Sequence, residues 1–213
     1  MSVKDNSRRK FLNIGAVTVV TSLLSLPIIA KELKATVKQE EGPFYPRHQQ
    51  ADKNADMTKV DNHSGQAMGE VLYLNGRVLD TNGKPVKGAI IDIWQADENG
   101  RYLHDDAPES SPLDPSFQYW AQLKTDDDGN YQVKTIKPGA YPAEESWVRP
   151  PHIHFKVARR GLQELTTQMY FAKEPLNDLD KLFLQAPESE RSNIVVEFQN
   201  GKGQFDIILN RIS

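Results

Sequence analysis

The 213-residue chain contains no cysteine. That excludes disulfides, thiolate metal sites and thiol nucleophiles together. Any metal would have to be held by imidazole, carboxylate or phenolate, a donor set suited to a harder ion than a thiolate site takes. An excess of one charge is also missing. Twenty-six basic residues stand against 29 acidic ones, for a formal net charge of -3 and a pI near 6.0. No nucleic-acid partner is expected from such a balance. Helical periodicity is nearly absent, and only Leu176 to Ser192 reads as weakly helical. Long apolar runs are absent too, with one exception between Ile14 and Ala30.

That exception follows Ser7-Arg8-Arg9-Lys10-Phe11-Leu12. A basic start before a moderate apolar segment reads as a secretory signal, and paired arginines followed by Phe-Leu match the twin-arginine export signal. Residues 1–30 are therefore expected to be an export signal read by the twin-arginine machinery, with cleavage near Ala30 and a periplasmic or cell-surface destination. The run lies at the lower edge of the roughly 17–25 residues needed to cross a bilayer, so an uncleaved membrane anchor stays open.

Residues 31–69 are polar and without period, and they read as an irregular N-terminal arm. Within the arm, Glu41-Gly42-Pro43-Phe44-Tyr45-Pro46 stands apart: two prolines and a glycine fix the backbone, and two aromatics need cover. It is expected to pack onto the domain. His48 and His63 of the arm read as solvated.

From Glu70 to Ser213 short apolar stretches recur between turn signals. Val71–Leu79 ends at Asp80-Thr81-Asn82-Gly83, and Ala89–Ala96 ends at Asp97-Glu98-Asn99-Gly100. Gln122–Thr125 and Tyr131–Ile136 flank Asp126-Asp127-Asp128-Gly129-Asn130, which reads as a hairpin turn because it lacks the alternating acids and closing Glu of a calcium loop. His152–Ala158, Leu165–Phe171, Ile194–Phe198 and Phe205–Asn210 complete the set. Strands at this spacing predict an all-β fold, an antiparallel β-sandwich, over 70–213. Leu103 to Ser116 is a long insertion of the kind that carries function on a rigid sandwich.

The chemistry concentrates in Arg149-Pro150-Pro151-His152-Ile153-His154-Phe155. Residues two apart on a strand share a face. His152 and His154 would thus point one way, and Ile153, Phe155 and Val157 the other. Such a pair is either half of a metal site or two polar positions on a surface strand. Tyr102, just after a turn, and Tyr141, stiffened by Pro142, are the further candidates. A phenol titrates near ~10, but a bound trivalent cation lowers that value and makes the phenolate an anionic ligand. Two phenolates with two imidazoles would favour ferric iron. The alternative is that both tyrosines are edge aromatics of the sandwich.

Several ordered motifs carry a resemblance. They are Glu41-Gly42-Pro43-Phe44-Tyr45, Gly76-Arg77-Val78-Leu79-Asp80, Gly83-Lys84-Pro85-Val86-Lys87-Gly88-Ala89, Asp92-Ile93-Trp94-Gln95-Ala96, Gly100-Arg101-Tyr102 and Leu113-Asp114-Pro115. Thr135-Ile136-Lys137-Pro138-Gly139-Ala140-Tyr141-Pro142, the Arg149–Phe155 stretch and Thr167-Gln168-Met169-Tyr170-Phe171 follow. From Glu41 to about Phe171 the chain resembles the intradiol ring-cleavage dioxygenases, non-haem ferric enzymes that include the protocatechuate 3,4- and catechol 1,2-dioxygenases.

The resemblance implies a β-sandwich, Fe(III) as cofactor, and an aromatic diol and O2 as substrates, giving a muconate-type diacid. It implies Tyr102 and His152 as equatorial iron ligands, and Tyr141 and His154 as axial ones. It implies Arg149 as the group that stabilises negative charge developing on substrate, Gln168 in the wall of the oxygen-side pocket, and Pro43 near the pocket mouth. It also implies that the diol displaces Tyr141, whose freed phenolate serves as a base. The stretch Ala143 to Val148 is shorter than in protocatechuate enzymes, and Ala143 replaces a bulky aromatic, which leaves the ring substituents of the substrate undetermined. A homo-oligomer is compatible with the sequence but not specified by it. The competing class is a transthyretin-like binding or adhesion module; it accounts for the Lys84–Ala96 strand entry but leaves the tyrosines, histidines and Arg149 unexplained as a set.

Overall fold

A computed structural model describes residues 32–48, 50, 52–109 and 111–212. The expected export signal, 1–30, lies outside them. No helix among the described residues is long and apolar enough to cross a membrane.

The first sheet is built on β1 (Val71–Asp80), whose alternating pattern buries Leu72, Leu74 and Val78 on one face. β4 (Asn130–Ile136) pairs antiparallel along one side of it. Two short strands, β10 (Lys202–Gln204) and β11 (Ile207–Leu209), run parallel along the other. The second sheet has the order β3-β2-β7-β8-β9, made of β3 (Trp120–Lys124), β2 (Ile90–Trp94), β7 (His152–Ala158), β8 (Leu165–Phe171) and β9 (Val195–Val196). A separate hairpin joins β5 (Tyr141–Glu144) to β6 (Trp147–Arg149). The all-β expectation stands, but the pairing is mixed: β1–β10, β1–β11 and β8–β9 are parallel. Each of these involves a two- or three-residue strand from the C-terminal stretch, too short for periodicity to report its direction.

The main core lies between the two sheets. Leu72, Leu74, Val78, Val133 and Ile136 come from the first, and Ile91, Ile93, Ile153, Phe155, Val157 and Met169 from the second. Leu176 to Ser192 resolves into a 3-10 turn (Pro175–Leu179), α1 (Lys181–Gln185) and α2 (Glu188–Arg191). These short pieces cover the outer face of β8, where Tyr170 packs with Phe183, Ala186 and Ile194.

The arm is held by backbone hydrogen bonds. Leu33, Thr36 and Gln39 donate to the carbonyls of Thr81, Ile208 and Thr166. Met57 is fully buried in the main core and exchanges bonds with Lys134 and Gln118, so a polar, aperiodic stretch supplies a core residue.

Candidate metal centre

β7 sets the centre. Ile153, Phe155 and Val157 enter the main core, while His152 and His154 are buried on the opposite face, 2 % exposed each. Their rings meet edge to face at 4.8 Å. The register of β7 with β2 places Trp94 beside His154, and the two rings stack at 4.7 Å. The His152 Nδ1–H donates to the Pro150 carbonyl at 2.6 Å, which leaves Nε2 as the lone-pair nitrogen; it lies 3.3 Å from the Tyr102 hydroxyl. Pro150 therefore fixes the tautomer a ligand needs.

Two turns bring the tyrosines in. Asp97 Oδ1 accepts from the amides of Asn99 and Arg101 and closes the turn before Tyr102. The Pro138–Tyr141 stretch packs backbone to backbone on that turn: Gly139 N–H donates to the Asp97 carbonyl at 2.8 Å. A Cβ on Gly139 would lie 2.3 Å from the Glu98 carbonyl oxygen, and one on Gly100 would lie 2.4 Å from that of Ala140. Both turns need glycine for this approach. Tyr102 and Tyr141 are then buried with ring centroids 5.5 Å apart and nearly perpendicular. From the arm, Phe44 stacks on Tyr102 at 4.7 Å and meets Tyr141 edge-on. The Glu41–Pro46 segment thus covers the centre.

The hairpin supplies the cation. Tyr141 of β5 pairs directly with Arg149 of β6. Arg149 is 4 % exposed, and its guanidinium donates to Gln168 Oε1 at 2.7 Å and to both oxygens of Asp180. Tyr141, Arg149 and His154 border a cavity of about 480 Å³. Its inner end is formed by Tyr141, Arg149 and His154, its walls by Pro43, Phe44, Pro142, Ala143, Trp147 and Leu182. Glu40, Asp106 and Lys181 also line it.

Electrostatics follow from burial. Desolvation drives both imidazoles well below 6.5, helped by the Arg149 charge, so both are neutral with a lone pair free. Burial pushes the Tyr102 hydroxyl well up, and the neighbouring Tyr141 adds to it. Burial also raises Tyr141, but Arg149 and a hydrogen bond from Tyr102 oppose the rise. Tyr141 is therefore the phenol whose anion is better supported.

The sequence-predicted residues come together to different degrees. Tyr102, Tyr141 and the two β7 histidines, His152 and His154, converge from three stretches, with Arg149 against Tyr141 and Pro43 in the cavity wall. Gln168 does not form part of the wall: it is fully buried behind Arg149, with Nε2 donating to the Glu40 carbonyl. His48 pairs with Asp105 at the surface and His63 with the Ser116 hydroxyl, both outside the group. Asp180 and Tyr170, which hold Arg149, escaped the sequence reading. Only Asp180 had a local signal, as a cap residue before Lys181-Leu182-Phe183.

Among the described residues no cluster of three or more His, Cys, Asp or Glu could hold a metal. A metal centre here depends on the phenols. The donor set fits one: two neutral buried imidazoles, two buried phenols, and a His154 Nδ1 that lacks a hydrogen-bond partner. Such a set, with no thiolate or carboxylate, suits a hard trivalent ion.

Fold and centre together define a β-sandwich protein with a tyrosine–histidine site at one end of a cavity. The family model described as "Dioxygenase" matches residues 40–206. The chain is 36 % identical over 189 residues to the protocatechuate 3,4-dioxygenase beta chain of Burkholderia cepacia, covering 83 % of this chain and 80 % of that one. It is 32 % identical over 154 residues to catechol 1,2-dioxygenase of Acinetobacter baylyi, covering 66 % and 48 %, so it spans about half the length of that relative. Among solved structures, the dioxygenase domain of a dioxygenase carbohydrate-binding protein fusion from Streptomyces sp. SirexAA-E superposes with a TM-score of 0.62 at 29 % identity, over 84 % of this chain and 100 % of that one. The chain belongs to the intradiol ring-cleavage dioxygenase family.

Proposed function

We propose that this protein cleaves a catechol-type aromatic diol with O2 between its two hydroxyl-bearing carbons, at a ferric ion held by Tyr102, Tyr141, His152 and His154, giving a muconate-type diacid. One observation carries the reading: four ligand-type side chains, two from β7 and one from each of two turns, meet with Tyr141 and His154 facing a ring-sized cavity beside a buried guanidinium. A non-catalytic binding module has no use for that convergence. Tyr102, Tyr141, His152 and His154 would hold the ion, which would supply Lewis acidity toward the diol.

The chain's own residues do the rest. Phe44, Pro43, Pro142 and Trp147 offer apolar surface to the ring and exclude water. The Tyr141 oxygen takes a proton from a substrate hydroxyl within bonding reach. Arg149 holds fixed positive charge next to that oxygen and stabilises anion on the substrate. Tyr102 and His152 stay in place, the latter held by the Pro150 carbonyl. Gln168 keeps the guanidinium in its plane from behind.

The test is oxygen uptake by iron-loaded protein across catechol, hydroxyquinol and protocatechuate, with product identification. Absence of uptake on all diols by fully iron-loaded protein would defeat the proposal. Export by the twin-arginine route is proposed alongside it, supported by Arg8, Arg9 and the apolar run that follows. Changing both arginines to Lys should leave the protein in the cytoplasm; unchanged fractionation would point to another route.

A further inference from the structure

We propose that Asp180 is a positioning residue for the ring-cleavage site: one buried carboxylate sets both the guanidinium of Arg149 and the indole of Trp147, the polar and the aromatic faces of the cavity. This rests on the ring-cleavage reading above. Asp180 is fully buried at the start of α1. Its Oδ1 accepts from Arg149 Nε at 3.0 Å and from Trp147 Nε1 at 3.1 Å. Its Oδ2 accepts from Arg149 Nη2 at 3.2 Å and from the Phe183 amide at 3.3 Å. These four donors belong to the cavity wall or to its own helix cap, and the buried Tyr170 hydroxyl lies beside the same carboxylate.

The geometry makes this more than a brace. Arg149 and Trp147 are the two ends of β6, a three-residue strand paired only with β5. So short a ribbon does not hold its side chains unaided. The bidentate grip on Nε and Nη2 fixes the plane of the guanidinium. Gln168 and Tyr170 meet the same Nη2 from another side. With that edge committed, the remaining edge of Arg149 is left for Tyr141 and the cavity, and both line it. The indole hydrogen bond likewise turns the Trp147 ring toward the cavity wall, where Lys181 lies over it at 4.6 Å. The acid lies 31 residues beyond Arg149, at the start of a short helix, so the helical excursion is what aims the site.

The experiment is a mutant cycle on iron-loaded protein, with steady-state kinetics, iron per chain and melting of the metal-free form. Asp180→Asn keeps the shape, and its single oxygen can still accept from Arg149 Nε and Trp147, but the NH2 in place of Oδ2 cannot accept from Arg149 Nη2 or the Phe183 amide, so the charge and one arm of the grip are lost. We expect kcat to fall by about 10- to 100-fold, as for a small misplacement of a catalytic group, with KM changing far less and iron content retained. In an Arg149→Ala background the same change should alter kcat by less than about twofold, because the group it aims is gone. The metal-free double variant should also melt above Arg149→Ala alone, since the single change strands a buried carboxylate. Trp147→Phe, which removes the indole hydrogen bond and part of the ring surface, should raise KM more than it lowers kcat.

Wild-type kcat and KM in Asp180→Asn would overturn the proposal. So would a further tenfold loss when it is added to Arg149→Ala. Should Asp180→Asn alone not fold, the comparison of Arg149→Ala with the double variant still decides. Wild-type protein on the same plate keeps the readings apart: if it takes up no oxygen the ring-cleavage assignment fails, and if it turns over normally while Asp180→Asn equals it, only this inference fails.

Discussion

β7 divides the molecule into two buried regions that differ in what burial does. On one face, Ile153, Phe155 and Val157 join a core of aliphatic and aromatic side chains between the sheets. On the other, His152 and His154 join Trp94, Tyr102, Trp120 and Tyr141. Both regions are less than a tenth exposed. In the first, burial removes apolar area from water and every contact stabilises. In the second, each ring carries a polar atom, and burial shifts the proton equilibria of the imidazoles down and of the phenols up. One strand with a two-residue period thus serves stability on one side and chemistry on the other.

That contrast can be broken most severely at the ligands. His154→Ala or Tyr141→Phe should abolish iron retention or change the visible band, with loss of turnover, while the metal-free protein melts within about 4 °C of wild type. Retention of the wild-type spectrum and iron content in both Tyr102→Phe and Tyr141→Phe would remove the phenols from the centre. Phe155→Ala, next to His154 but on the core face, should do the opposite. It should cost about 3–5 kcal/mol of stability, measured by denaturant unfolding, with iron per folded chain unchanged.

Arg149→Ala sharpens the comparison from inside the second region. Iron and most of the colour should remain, while kcat falls by roughly 10²–10³-fold. Arg149→Lys should rescue only in part, because an ammonium cannot reproduce the planar fork that Asp180 and Gln168 hold. Parallel loss of iron, melting temperature and turnover would make the residue structural.

The smallest effect is on pH. The two histidines have folded values depressed below the unfolded 6.5. Their contribution is intact above about 6.5 and is lost as pH falls from there toward the folded values, because the unfolded chain then binds the protons. Metal-free protein should lose melting temperature between about pH 7 and 5. A variant with Asn at both positions should show a shallower fall over the same range. Equal slopes would mean the imidazoles are not the groups responsible.

Much of this is legible in the sequence, for an identifiable reason in each case. β7 and β8 appear with the bounds read from the sequence, because long strands with a buried face carry their period in the chain. The faces of His152 and His154 follow from the same period. The β5–β6 hairpin was missed: its strands have four and three residues, one contains Pro142, and no glycine marks its turn. Met57 was read as part of a loose arm, because a single apolar residue in a polar stretch has no pattern to announce it.

The sequence by itself determined the all-β class, the exclusion of thiolate chemistry and the candidate donors, since each rests on residue type or on a period local to one segment. Only the tertiary structure decided which donors meet, that Gln168 stands behind Arg149 rather than in the cavity wall, and that Asp180 holds Arg149. Those are contacts between residues 19 and 31 positions apart, or more. No local preference encodes them: they arise when two glycine-lined turns, a short hairpin and a helix cap are packed over the neighbouring strands β7 and β8 and their buried polar groups must find partners.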